Sequence, residues 1–348
     1  MSKLRFLTCL LLLLPLLSRA QPPVRYRNLV MEGGGIRGIA YGGALQELEQ
    51  QGVLAGIQRV GGTSAGAIQA ALLAVGYSAS EIISIVNSTP VQRLNDGRFI
   101  FVGGSTRVLK QYGWYRGDEF ARYLSELVGR KTGNPNLTLA ELHARAGKGQ
   151  GRDLYVTGTN LTKQRLEVIS YETHPRLRVA DAVRISMSIP LYFRAVLLDE
   201  QGQVVKKPAK NQAVDVLVDG GLLANYPIDL FDQPRFLPAG TAPAGGHWSN
   251  PETLGLRLDR PEQIAYDVRP GGRQQLAPYT ITNFPSYVGA LYTVAIENLN
   301  PPRPEDWART ISISTKGFNP RIKRVSDAQK QQLMDSGQQG VQEFFRRP

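Results

Sequence analysis

Two short apolar segments of this chain run directly into glycine-rich sequence, and helical periodicity follows each of them. The first is NLVME at residues 28–32, followed by GGGIRG, and the second is IQRV at 57–60, followed by GGTSAG. A strand that ends in a tight turn and continues as a helix is the building unit of α/β folds with parallel strands. This arrangement predicts an α/β domain with a mostly parallel central sheet.

The rest of the chain follows the same alternation. Tyr41, Ala44, Leu45 and Leu48 share one helical face, and the segment AGAIQAALLAVG at 65–76 predicts a second helix. Hydrophobic residues make up 42% of the 348, enough for the core of one large domain. Loops are predicted at 201–211, 237–252 and 270–285. Further strands are predicted at DLYVTGTN, RLEVISY, VDVLVDGG, LGLRLD and TISIST.

The first twenty residues have the pattern of a signal peptide. Lys3 and Arg5 precede the apolar run FLTCLLLLLPLL, and SRA precedes Gln21. We therefore expect residues 1–20 to be removed on export, leaving 21–348 as a single domain that is periplasmic or secreted. Cleavage would remove the one cysteine, Cys9, and with it any disulfide or thiolate chemistry.

The charge favours an anionic partner. The formal net charge is +12, and loss of the three cations of the signal peptide lowers it to +9. For an exported chain, an anionic membrane surface is the expected partner. Nucleic acid is not expected, because the sequence has no zinc finger, RNP-like segment or dense basic and aromatic tract.

The first glycine loop satisfies G-x-G-x-x-G through Gly33, Gly35 and Gly38. A dinucleotide site also needs an acidic residue at the end of the second strand, where this chain has RVGGTS. A Walker-type phosphate loop needs Lys-Ser or Lys-Thr after the glycines, and that pair is missing. Nucleotide binding is therefore disfavoured, and the loop is free to hold another negative charge.

The second loop contains G-x-S-x-G between a predicted strand and a predicted helix, which is the setting of a nucleophile elbow. Gly62 and Gly66 would permit the sharp turn that exposes Ser64. The start of the following helix would favour negative charge beside that serine. Ser64 is the candidate nucleophile.

A nucleophilic serine needs a proton acceptor. The three histidines, His143, His174 and His247, all lie in sequence typical of surface segments. Asp219 is the better candidate, because an apolar strand delivers it into a Gly-Gly turn, although an aspartate there can also be a plain turn or cap residue. A Ser-His-Asp esterase that uses His174 or His247 remains the alternative.

Three motifs in order resemble the patatin-like phospholipases: EGGGIRG at 32–38, GTSAG at 62–66 and DGG at 219–221. RISMSIPLYF at 184–193 is similar to another family block, and VTGTNLTKQRLEVISY at 156–171 is similar more loosely. The ending, from TISISTKGF to QEFF, resembles the closing strand and helix of bacterial members. The resemblance covers nearly all of residues 21–348.

The resemblance implies a patatin-like three-layer α/β/α sandwich, with the motifs within about 28–230 and a closing strand and helix within about 308–346. It implies a lipid acyl hydrolase, acting on phospholipid or another lipid ester, that uses no metal or organic cofactor. Ser64 would attack the ester and Asp219 would accept its proton. The remaining implied site residues are the oxyanion loop, Gly33, Gly34, Gly35, Arg37 and Gly38, and the DGG glycines, Gly220 and Gly221.

One position departs from the family pattern, since Glu32 stands where aspartate is common. We do not expect this change to abolish activity. A non-enzymatic lipid- or membrane-binding protein with an inert patatin fold is the second alternative.

Three features bear on lipid binding. A helix predicted in 286–299 places Tyr287, Leu291, Val294 and Ala295 at helical spacing, suited to an acyl groove, an interfacial lid or packing on the sheet. Tyr192 and Phe193 either border the substrate or belong to the core. The third feature is a basic loop that meets anionic headgroups or is simply solvated, formed by Lys206, Lys207 and Lys210.

Overall fold

A mostly parallel sheet organises the molecule. A computed structural model describes residues 26–89, 96, 112–241, 247–297, 303–318 and 325–347; the predicted signal peptide lies outside these ranges. The strands are β1 (Asn28–Met31), β2 (Arg59–Gly62), β3 (Gly113–Tyr115), β4 (Asp153–Asn160), β5 (Arg165–Ile169), β6 (Leu191–Phe193), β7 (Val196–Leu198), β8 (Asp215–Asp219), β9 (Thr253–Asp259) and β10 (Thr310–Ser314).

Helices connect most of these strands. They are α1 (Ala40–Gln50), α2 (Val53–Gly56), α3 (Ala65–Ala74), α4 (Ala79–Ser88), α5 (Asp118–Thr132), α6 (Leu139–Ala146), α7 (Val179–Ser186), α8 (Pro261–Asp267), α9 (Phe284–Glu297) and α10 (Asp327–Phe345). Within the described ranges, no helix is both long and apolar enough to cross a membrane.

The main sheet has the order β10-β9-β1-β2-β4-β8-β7, and β5 also pairs with β4, on the edge opposite β8. The five strands from β10 to β4 are parallel, while β5, β7 and β8 form antiparallel pairs. The predicted mixed α/β fold with a mostly parallel sheet is confirmed. The sequence did not predict β7, nor the small parallel sheet of β3 and β6.

The register of the sheet brings two candidate residues to the same level. Gly62, at the end of β2, pairs with Val156 of β4, and Asp219, at the end of β8, pairs with Gly158 of β4. Ser64 follows Gly62 by two residues, just as Gly158 follows Val156. The antiparallel direction of β8 therefore delivers Asp219 to the same sheet edge as Ser64.

The core lies on both faces of the sheet. Alternate residues of a strand point to opposite faces, so Leu29 and Met31 join the large cluster that includes the apolar faces of α1 and α3. Val30 points the other way, into a smaller cluster with Tyr155 and Phe231. This second cluster is covered by two 3₁₀ helices, at Ile228–Phe231 and Pro234–Phe236.

The carboxy-terminal helix α10 packs on α1 at backbone distance. A Cβ atom added to Gly43 of α1 would collide with the carbonyl of Met334, and one added to Gly337 of α10 would collide with the carbonyl of Ala40. Both carbonyls are backbone groups and have no flexible side chain to move aside. The two glycines thus set how closely these helices approach.

We expect Gly43→Ala to destabilise the protein by about 1–3 kcal/mol, because the methyl group would force α1 and α10 apart. Urea unfolding followed by circular dichroism measures the change. Gln46→Ala, on the exposed side of the same helix, is the matched control and should unfold close to the unmodified protein. Equal midpoints for the two variants would contradict the close-packing argument.

Candidate active site

Ser64 occupies a strained turn between β2 and α3. Its φ of 52° and ψ of −117° lie in a region that residues with a side chain rarely adopt. A Cβ atom on either Gly62 or Gly66 would collide with the carbonyl of Met31 at the end of β1. The two flanking glycines therefore allow this sharp elbow to sit directly against the strand that precedes the glycine loop.

Two residues at the end of α7 contact Ser64. The Ser64 N–H donates to the hydroxyl of Ser186 at 2.9 Å, and the Ser64 hydroxyl lies 3.5 Å from the sulfur of Met187. Sulfur is a weak acceptor, so this second contact leaves the serine oxygen available for stronger partners. Ser186 and Met187 belong to the RISMSIPLYF block, but no sequence pattern singled them out.

Arg184 supports this end of α7. Its buried guanidinium donates to the carbonyls of Arg116, Gly117 and Arg194 and to the hydroxyl of Ser188. Burial lowers the pKa of Arg184 to about 10. The side chain ties two segments, at 116–117 and at Arg194, to the turn that carries the serine's neighbours.

Asp219 lies buried at the end of β8, where it caps the 3₁₀ helix Gly220–Leu222. The Gly221 N–H donates to Asp219 Oδ1 at 2.8 Å, and the Asp219 N–H donates to the carbonyl of Ser188 at 2.9 Å. Burial raises the pKa of Asp219 to about 7, although the hydrogen bond from Gly221 and the nearby Ser64 hydroxyl act in the opposite direction. The buried carboxyl group therefore titrates near neutral pH, close to Ser64.

The glycine loop runs alongside the elbow. A Cβ atom on Gly38 would collide with that of Ala65, which directly follows Ser64, and Gly35 has a positive φ of 54°. The N–H of Gly33 donates to the carbonyl of Asn225 at 3.0 Å. In the described part of the chain, the N–H groups of Gly34 and Gly35 have no hydrogen-bond acceptor. These two amides are therefore unpaired donors in a loop that runs alongside the serine elbow.

Arg37 holds the loop from within. Its side chain is buried, and its Nε donates to the carbonyl of Gly34 at 3.3 Å. The guanidinium also lines the cavity next to the site. Arg37 therefore combines a structural bond to the loop with positive charge at the cavity wall.

Asn225 joins the glycine loop to the DGG turn. Its side-chain amide donates to Glu32 Oε1 at 2.9 Å and to the carbonyl of Gly33 at 3.2 Å. Since its own carbonyl accepts from Gly33, the residue fixes that loop from two sides. Asn225 lies within the segment DGGLLANYP, six residues after Asp219. No spacing rule in the sequence marks that position as a partner of the glycine loop.

Glu32, which stands where aspartate is common in the family, has a structural role. Its Oε2 accepts from the N–H of Leu258 in β9 at 2.6 Å, and its Oε1 accepts from Asn225. Burial raises the pKa of Glu32 to about 8, against the opposing effect of Arg257. The carboxyl group thus bridges β9 and the DGG segment from the end of β1.

None of the three histidines has a hydrogen bond or ring contact with Ser64 or Asp219. His143 stacks on Tyr171 and lies 2.8 Å from Asp153. His174 Nδ1 lies 3.0 Å from the hydroxyl of Thr173, and His247 is exposed. The contacts of the described histidines therefore do not favour a Ser-His-Asp arrangement.

A cavity of about 710 Å³ adjoins the site. Arg37, Ile189 and Tyr192 line one side of it, and Val288 and Tyr292 of α9 line another. Tyr192 therefore borders the cavity. Its neighbour Phe193 is buried and lies against Tyr115, so that residue belongs to the core.

The predicted stripe on α9 does not pack on the sheet. Tyr287, Leu291 and Val294 are exposed by 49%, 53% and 56%, so the interpretation of this stripe as a packing surface is wrong. The basic loop takes part in a different cavity of about 570 Å³, which Lys206 and Lys207 line.

Comparison with known proteins places the chain in a family. A family model described as patatin-like phospholipase matches residues 29–232, a span that includes all three motifs. The chain belongs to the patatin-like phospholipase family. This member is accordingly a hydrolase of lipid esters.

Several relatives share this region. YqhO of Bacillus subtilis is 32% identical over 220 residues, which are 61% of this chain and 69% of the relative. A probable lipid hydrolase, 463L of Invertebrate iridescent virus 6, is 27% identical over 60% of this chain and 64% of its own length. An NTE family protein of Mycobacterium tuberculosis, MT2641, is 33% identical over 59% of this chain, but the match covers only 28% of that protein.

Solved structures show the same fold at low sequence identity. VipD of Legionella pneumophila superposes with a TM-score of 0.54 at 18% identity, over 92% of this chain and 66% of VipD. ExoU of Pseudomonas aeruginosa, solved with SpcU, gives a TM-score of 0.54 at 20% identity, over 92% of this chain and 51% of the matched chain. This family member thus spans two thirds or less of each of these solved chains.

We expect Asp219→Asn to change how stability depends on pH. Because the folded-state pKa of Asp219 lies above its ordinary value of 3.8, its contribution to stability is complete below about pH 4 and is lost as pH rises through about 7. The asparagine variant has no such loss. Between pH 4 and pH 8 the unmodified protein should therefore lose about 2–4 kcal/mol relative to the variant.

Denaturant unfolding at several pH values measures this difference. Asp335→Asn, at an exposed position of α10, is the control and should follow the unmodified protein. A pH-independent difference between the Asp219 variant and the unmodified protein would contradict the raised pKa.

Proposed function

We propose that this chain is a serine acyl hydrolase that cleaves carboxylic esters of phospholipids or lysophospholipids through a Ser64–Asp219 dyad. The observation that carries the proposal is the buried Asp219 carboxyl, which lies close to the Ser64 hydroxyl and has a pKa near 7. A general base is most effective when its pKa lies near the working pH. An aspartate with an ordinary pKa would be a much weaker base.

In the first step, the Ser64 oxygen attacks the ester carbonyl carbon while Asp219 takes the hydroxyl proton. The carbonyl oxygen becomes negative in the tetrahedral intermediate. The unpaired N–H groups of Gly34 and Gly35 are suited to receive this oxygen. The carbon–oxygen bond to the alcohol then breaks, Asp219 returns its proton to the leaving alcohol, and the acyl group remains on Ser64.

In the second step, water attacks the acyl group and gives a proton to Asp219. The tetrahedral intermediate again places negative charge at the glycine loop. Collapse releases the fatty acid as the proton returns to Ser64. Asn225 and Arg37 take no proton in this scheme, and their hydrogen bonds keep the Gly34 and Gly35 amides in place through both steps.

The substrate class rests on the family and on the cavity. A space of about 710 Å³ beside the loop is within the range of small-molecule sites, and its aliphatic and aromatic wall suits an acyl chain. The basic character of the chain favours lipid at an anionic membrane surface.

We expect Ser64→Ala and Asp219→Asn each to lower kcat by at least about 1,000-fold, because each removes a partner of the same proton transfer. Hydrolysis of a soluble p-nitrophenyl ester and mass spectrometry of fatty acids released from mixed-lipid vesicles are the measurements. His174→Ala and His247→Ala are matched controls that should retain nearly full activity.

Three outcomes would overturn the dyad. Collapse of activity in either histidine variant would favour the Ser-His-Asp alternative. Equal activity of Ser64→Ala and the unmodified protein would exclude Ser64 as the nucleophile. Failure of an organophosphonate to label Ser64, together with no hydrolysis, would favour an inert lipid-binding fold.

We also propose that the chain is exported and is periplasmic or secreted. The support is the sequence pattern of residues 1–20, which lie outside the described structure. The exported protein should begin at Gln21, and amino-terminal sequencing checks this. A product that retains Lys3 and Arg5 would contradict cleavage.

A further inference from the structure

Helix α9 presents its most apolar side to solvent. Phe284, Tyr287, Leu291 and Val294 form one stripe along the helix, with 77%, 49%, 53% and 56% of each residue exposed. We call these four residues the docking face. On a surface helix of a water-soluble domain the large apolar side chains ordinarily turn inward.

The inward side of α9 is the less apolar one. Its buried residues are Ala290, Thr293 and Ile296, two of which have small side chains. Apart from Ile296, the helix therefore leaves its large side chains exposed, and packing within the domain does not explain their size or chemistry. Exposed apolar surface that is contiguous in this way is typical of a binding surface.

The segment around α9 is also free of charge. From residue 274 to residue 296 the sequence contains no lysine, arginine, aspartate, glutamate or histidine. At about 1.5 Å per residue, the 14 residues of α9 measure about 21 Å, which is too short to cross a hydrocarbon core of about 30 Å. Phe and Tyr beside Leu and Val are instead typical of helices that lie in the membrane interface.

A second side of α9 connects this surface to the candidate active site. Val288, Gly289 and Tyr292 line the cavity that Arg37 of the glycine loop also lines. One helix is thus both a wall of the substrate cavity and the carrier of the docking face. An acyl chain leaving a bilayer under the docking face would meet this cavity directly.

Cations lie near the cavity. Arg37 and Arg260 line it together with a single acidic residue, Glu262. The exposed Lys316 lies between Thr315 and Gly317, which also line the cavity. This charge favours a surface that contains anionic phospholipid over one that is purely neutral.

We propose that the docking face inserts into the interface of an anionic phospholipid bilayer and so places the cavity against its substrate. The proposal rests on the lipid hydrolase function proposed above and assigns the surface through which the enzyme reaches aggregated lipid. Insertion of the side chains of Phe284, Leu291 and Val294 supplies the apolar contact. No bond is made or broken in this step.

The test measures binding without hydrolysis, in a Ser64→Ala background. Flotation with vesicles of phosphatidylcholine and phosphatidylglycerol gives the partition coefficient. Leu291→Ser combined with Val294→Ser should lower the partition coefficient at least tenfold. The reason is that two aliphatic side chains that the lipid would bury are lost. Leu166→Ser, at an exposed position of β5 that lies outside the docking face, is the control and should bind within twofold of the parent.

Phe284→Ser is a second variant at the start of the helix, and it should also weaken binding. Urea unfolding identifies variants that are folded, and the comparison is made between those. Equal vesicle binding by the parent and the folded docking-face variants would overturn the proposal. Self-association of the parent through these residues, with no vesicle binding, would overturn it in favour of a second copy of the chain as the partner.

Activity measurements separate this proposal from the function on which it rests. With Ser64 intact, the docking-face variants should keep their activity on a soluble p-nitrophenyl ester and lose at least tenfold on vesicles. If Ser64→Ala left soluble-ester hydrolysis unchanged, the dyad would fail while vesicle binding still tested the docking face. If the docking-face variants hydrolysed vesicles at the parent rate, the docking face would fail and the dyad would stand.

Discussion

The contact between the end of β1 and the serine elbow is the constraint on which the site depends. Gly62 and Gly66 lie against the carbonyl of Met31, with no room for a side chain at either position. Met31 directly precedes Glu32 and the glycine loop. The same backbone contact therefore fixes the strained serine and the start of the loop that carries the Gly34 and Gly35 amides.

Burial raises the pKa of both acids at this sheet edge, but the two carboxyl groups have different contacts. It raises the pKa of Asp219 to about 7 and that of Glu32 to about 8. Asp219 lies near Ser64 and accepts a hydrogen bond from the Gly221 N–H. Glu32 accepts hydrogen bonds from Leu258 and Asn225 instead, so its carboxyl group links β9 to the DGG segment. The contacts of each carboxyl group, rather than its pKa alone, therefore distinguish the two acids.

Much of the fold could be predicted from the sequence, because strand ends, glycine turns and helical periodicity are local signals. These local signals predicted the parallel strands β1, β2, β4, β9 and β10 and the helices α1 and α3. The antiparallel direction of β8 could not be predicted, since it depends on which strand edge the chain meets after a long loop. The roles of Asn225 and Ser186 depend on contacts across more than a hundred residues, and no local pattern records those. For α9, periodicity identified the stripe of apolar residues but not the direction in which it points.

The hydrogen bond from the Leu258 N–H to Glu32 joins the family motifs to a strand that follows them in the chain. The stretch that carries the family motifs ends at residue 232, but β9 follows it and pairs with β1 in the middle of the sheet. A fragment stopped at that boundary would leave β1 as a bare edge, with open backbone groups ready to pair with another chain. It would also lack the Leu258 N–H, so that Oε2 of the buried Glu32 would lose its hydrogen-bond donor. The region that matches the family model is therefore shorter than the part of the chain that completes the sheet.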